Sequence, residues 1–139
     1  MTAEKMIRIT LSDLIGSTLS QNGVNELAIK IGQIQKLTPR EMNLALEKEH
    51  LVAKKTYSKK SRQVDRRKLQ ETVQIIRKLR NLIQLALISI LKKAGVLRKH
   101  DDTKFIKQIA FHFVSLSNYE NNFTETININ PRTKVWSIM

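Results

Sequence analysis

Hydrophobic residues recur along most of this chain at helical spacing and change to strand spacing only near its end. Leu11, Leu14, Ile15 and Leu19 follow Thr10-Leu11-Ser12-Asp13, whose hydroxyl and carboxylate stand three residues apart, as a capping box requires. This pattern predicts a short first helix ending near Asn22-Gly23. Leu27, Ala28, Ile31 and Ile34 predict a second helix from about Val24, with Gly32 as its weak point. Thr38-Pro39-Arg40-Glu41 is the sharpest local signal: a hydroxyl to cap, proline at the first helical position and a glutamate at the third. The helix that it starts is expected to run to about Ala53.

The fourth helix is the longest. It is expected to begin between Ser61 and Val64 and to end at Gly95, which can adopt the left-handed conformation that closes a helix. Some thirty residues at 1.5 Å each span about 45 Å. Leu69, Val73, Ile76, Ile83, Leu87 and Ile90 form its apolar stripe. At one hundred degrees per residue, Arg66, Arg67, Arg77 and Lys78 fall opposite the stripe, and Arg80 borders it. Between Leu82 and Leu91 apolar residues surround the axis, so this half is expected to be covered by neighbours on every side. Asp101, Asp102 and Thr103 can start a fifth helix carrying Phe105, Ile106, Ile109, Ala110, Phe113 and Val114 and stopping near Ser117-Asn118. The period then changes: Thr124 to Ile129 alternates, Asn130-Pro131-Arg132-Thr133 can turn, and Lys134 to Ile138 can return as a hairpin. There is no internal repeat. The expected fold is mainly α: a single domain over residues 1–139, with about five helices, one long central helix, a basic loop at 54–62 and a short C-terminal β-hairpin at 124–138.

Composition makes this picture functional. The 139 residues hold 25 Lys and Arg against 12 Asp and Glu, a net charge of +13. Twelve of those cations and three of those acids lie between Lys48 and Arg80, which concentrates nine of the thirteen excess charges in one quarter of the chain. A field of this density suits a polyanion such as DNA or RNA, DNA slightly preferred. Lys54, Lys55, Lys59, Lys60 and Arg62 in the loop can track phosphates, because ammonium groups need a field and no fixed geometry. Arg66, Arg67, Arg77, Lys78 and Arg80 on the helix can add firmer contacts, the arginines bidentate. Lys92 and Lys93, with Arg98 and Lys99, form a second cluster where cations also suit a helix C-terminus. A solvated helix face is the plain alternative for all of them. Tyr57 in the loop is equally a surface tyrosine or a stacking group, and aromatics are too sparse for a binder built on stacked bases.

Other chemistry finds little support. The absence of cysteine excludes disulfides and thiolate metal sites. His50, His100 and His112 lack a metal-ligand spacing, with His112 among core-facing residues; Gly16, Gly23, Gly32 and Gly95 are too scattered for a phosphate loop. Asp101-Asp102 reads as a helix start rather than a magnesium site, and Ser58 and Ser61 as loop and cap. Neither an enzyme nor a cofactor is expected. The N-terminus lacks the long apolar run of a secretion signal, and Leu82–Leu91, interrupted by Gln84 and Ser89, is too short to cross a bilayer. An anionic membrane surface or an acidic protein remain other uses for the charge.

In broad architecture this arrangement resembles the helical coat proteins of filamentous viruses, a likeness that transfers no individual binding residue. The expected function is structural: coating or packaging nucleic acid through phosphate contacts and self-assembly, in a virion or an intracellular nucleoprotein, alone or with related subunits. The alternatives are a winged-helix-like DNA-binding regulator, with the hairpin as wing, and a helical small subunit of a larger nucleoprotein complex, including an RNA-guided one.

Overall fold

A computed structural model describes residues 5–17, 20–49, 66–97 and 104–138. Among these the chain forms strand β1 (Ile7–Ile9), helices α1 (Leu11–Gly16), α2 (Gln21–Gln35), α3 (Pro39–Lys48), α4 (Arg66–Lys93) and α5 (Lys104–Leu116), a 3-10 helix (Glu120–Thr124), and strands β2 (Ile127–Ile129) and β3 (Trp136–Ile138). It is the expected helical assembly around one long helix, with an antiparallel strand pair at the C-terminal end.

Local chemistry explains the helix starts. Thr10 Oγ1 accepts from the Asp13 amide at 3.1 Å, and Asp13 Oδ2 accepts from the Thr10 amide at 2.9 Å, completing the capping box of α1. Thr38 and Glu41 repeat the exchange at α3, at 3.2 and 3.0 Å, with Pro39 in the first turn. The first boundary differs from expectation: α1 stops at Gly16, and Ser20 caps α2 by accepting from the Gly23 amide at 3.1 Å. Asn22-Gly23 therefore belongs to the first turn of α2. A serine side chain that satisfies an orphan amide outweighed the turn propensity of Asn-Gly. The end of α3 also falls short of Ala53, since the helix closes at Lys48 with Glu49 as its cap.

At the far end of α4, Gly95 has φ +75°. The Val96 amide reaches Leu91 O at 2.9 Å and the Gly95 amide reaches Lys92 O at 3.1 Å, the paired bonds of a Schellman closure. Buried Leu91 and Val96 flank it. Asn118, just past α5, donates to Ile34 O at 2.9 Å and Leu37 O at 3.3 Å, satisfying carbonyls at the end of α2.

The core gathers about α4. Val73, Ile76, Leu79, Ile83, Ala86, Leu87 and Leu91 meet Leu27, Ile31 and Ile34 of α2, Met42, Ala45 and Leu46 of α3, and Ile106, Ile109, Ala110, Phe113 and Val114 of α5. One expectation fails here. The Leu82–Leu91 stretch is not covered on every side: Leu85 is 53% exposed, and Leu82, Ile88 and Ile90 are half-buried. The neighbouring helices leave open the row that continues from Lys78 and Asn81.

The C-terminal hairpin is narrower than 124–138, because Thr124 closes the 3-10 helix. Asn130 sets its turn: Oδ1 accepts from the amides of Arg132 (2.9 Å) and Thr133 (3.2 Å). The hairpin also acquires a third strand. β1 pairs antiparallel with β2, Ile7 opposite Ile129 and Ile9 opposite Ile127, giving the order β1-β2-β3. All three residues of β2 are buried. Ile127, Ile129 and Ile9 enter the core, so the sheet ties the two ends of the described chain to the helices.

Candidate nucleic-acid interface

Four ion pairs orient α4. Lys68 Nζ lies 2.7 Å from Glu41 Oε2 of α3, and Lys78 Nζ lies 3.1 Å from Glu26 Oε1 of α2. Arg77 Nε donates to Glu49 Oε1 at 2.7 Å, with Arg80 Nη1 3.5 Å from Glu49 Oε2. The order of contacts fixes direction. Glu41 and Glu49 climb α3 as Lys68 and Arg77 climb α4, so these helices run parallel; α2, joined to the start of α3 by a short link and meeting α4 at Lys78, runs antiparallel. Glu41 serves two ends at once. The Lys68 ammonium and the Thr38 amide hold its carboxyl below the ordinary value of 4.5.

The candidate cations thus divide. Arg80 is the most enclosed of those on α4: it lies between Glu49 and the ring of Phe111, whose centroid is 5.9 Å from its guanidinium carbon. Arg77 is shared, bound to Glu49 yet 48% exposed. Arg66 and Arg67 at the start of α4 and Lys92 and Lys93 at its end are exposed. Lys54, Lys55, Lys59, Lys60, Arg62, Arg98 and Lys99 lie outside the described residues, as do Tyr57, His50, His100, Asp101 and Asp102.

Where α3 ends beside the first half of α4 there is an open groove of about 660 Å³, lined by Lys48, Arg67, Gln70, Glu71, Val73, Gln74 and Arg77. Three cations against one acid give it a positive field, and two carboxamides add donors and acceptors. Its α4 wall follows from spacing: positions 67, 70, 71, 74 and 77 recur every three or four residues and share one face. Helical spacing alone places Gln70 and Gln74 on the row of Arg67 and Arg77, although neither carries a charge to mark it. Lys48 required the fold, since nothing local says that the end of α3 lies beside Arg67 and Arg77. Chemically, the groove can bind an extended anion by charge and hydrogen bonding.

Elsewhere, His112 pairs with Glu125 at 3.1 Å and lies 6.0 Å from the ring of Trp136, fastening β3 to α5. Among the described residues no three His, Asp or Glu side chains are grouped to hold a metal ion, and no helix is long and apolar enough to cross a membrane. No family model, curated protein or solved structure matches this chain.

Proposed function

We propose that this chain is a structural nucleic-acid-binding protein that coats or packages DNA or RNA, DNA slightly preferred, through phosphate contacts and self-assembly in a virion or intracellular nucleoprotein. The observation that carries this reading is the groove of Lys48, Arg67 and Arg77, built into the same quarter of the sequence that holds most of the excess charge. The contacts are to the backbone, so binding is largely independent of base sequence. The protein performs no chemistry in this role and takes no cofactor. Lys54, Lys55, Lys59, Lys60 and Arg62 extend the phosphate track, and Lys92 and Lys93 contribute more weakly. The buried β2 favours the sheet as a packing element over a wing, because a wing projects from its domain.

Equilibrium binding to mixed-sequence DNA and RNA across a salt series, with imaging of negatively stained protein with and without nucleic acid, tests the proposal. Engagement of six to ten phosphates gives a log–log salt slope of about −5 to −9, and ordered assemblies form on the nucleic acid. A salt-resistant preference for one duplex sequence would mark a regulator instead, and absence of binding at low salt would end the proposal.

A further inference from the structure

The acid in this basic surface carries a second inference, which rests on the nucleic-acid reading above. The Glu49 side chain is only 7% exposed, so a ligand in the groove cannot readily reach its carboxylate. It touches Arg77 through Nε alone, at 2.7 Å, whereas Arg77 lines the groove and keeps about half of its side-chain surface open. A guanidinium carries five N–H donors, and a single bond at Nε leaves its two Nη groups able to form a fork with a phosphate. Glu49 is itself fixed from behind by Arg80, which packs against Phe111. It also caps the C-terminus of α3, whose unpaired carbonyls add negative potential and draw both arginines inward. Without this anchor Arg77 is a long side chain with many rotamers and no set direction.

We infer that Glu49 is a positioning residue of the phosphate interface: it holds Arg77 by Nε at the groove wall, so that the rest of the guanidinium meets the nucleic-acid backbone in a fixed geometry. The consequence is opposite in sign to simple electrostatics. Removing a negative charge beside a cationic groove should tighten polyanion binding, yet removing this one weakens it.

The test measures binding of the full chain to a labelled mixed-sequence DNA duplex. Glu49→Ala lowers affinity by about threefold to tenfold and makes the salt slope shallower by about one, as for the loss of one phosphate contact. Glu26→Ala removes the same charge from an exposed pair that does not line the groove, and it binds more tightly than wild type. Glu49→Gln keeps an oxygen for Nε and recovers most of the loss. In an Arg77→Ala background, Glu49→Ala no longer weakens binding. If Glu49→Ala does not fold, Arg77→Lys decides: it keeps the charge, loses the fork, and weakens binding. A wild-type chain that binds steeply with salt while Glu49→Ala binds equally or more tightly, or an Arg77→Lys chain that binds as wild type, overturns the role of Glu49 and spares the wider reading. A wild-type chain that does not bind overturns both.

Discussion

The two halves of α4 hold to the rest of the molecule by different means. In the first, Arg66–Arg80, an apolar edge of Val73, Ile76 and Leu79 is bordered by cations that meet Glu41, Glu49 and Glu26 on two neighbouring helices. In the second, from Asn81 to Lys93, buried Ile83, Ala86, Leu87 and Leu91 pack without an ion pair among the described residues. Apolar burial is non-directional and supplies most of the free energy, whereas opposite charges choose between alternative alignments of similar burial. The first half is therefore the place where charge can be directed, and the groove of Lys48, Arg67 and Arg77 opens along it.

The largest effect is expected in the second half. Leu87, fully buried, should cost about 2–5 kcal/mol on truncation to Ala, through lost transfer energy and the cavity left behind; chemical denaturation measures it, and a loss under 1 kcal/mol would mean that this half is loosely packed. In the first half, Glu49→Ala should cost about 1–2 kcal/mol, less than a fully buried pair because Arg77 can rehydrate. The pH dependence of stability sharpens the ionic side. Glu41 has a folded pKa below its unfolded value, so its contribution is complete above the ordinary glutamate range and is lost as pH falls through the lowered value. Glu41→Gln should flatten the acid limb of a stability–pH curve, and an unchanged limb would show that the Lys68 contact adds nothing. The smallest effect belongs to Leu85→Gln, expected within about 0.5 kcal/mol of wild type because the side chain is largely in solvent. That near-neutrality two residues from Leu87 would confirm the open face.

Much of this fold was legible locally. Thr38-Pro39-Arg40-Glu41 and Thr10 with Asp13 carry the bonding partners that start a helix, Gly95 carries the backbone freedom that ends one, and each does so here. The α4 stripe placed Val73, Ile76, Ile83 and Leu87 inside, and put Arg66, Arg67, Arg77 and Lys78 outside. What escaped was non-local. Ile7-Arg8-Ile9 is too short for its alternation to be distinctive, and it becomes a strand because β2 offers it an edge. Leu85 reads as core by composition, yet no helix among the described residues covers it. The same limit applied to the site: the cations could be counted, but which of them are shared with Glu26, Glu41 and Glu49 depends on how α2 and α3 lie against α4.

The most direct test removes two charges at a time, from the groove or from the far end of α4. Binding of a mixed-sequence DNA duplex is measured across a salt series for wild type, for Lys48→Gln with Arg67→Gln at the groove, and for Lys92→Gln with Lys93→Gln at the far end. The groove pair should lose at least about tenfold more affinity than the far pair, with a salt slope shallower by about two. Equal losses from the two pairs would contradict a phosphate-binding groove and leave only a diffuse positive field.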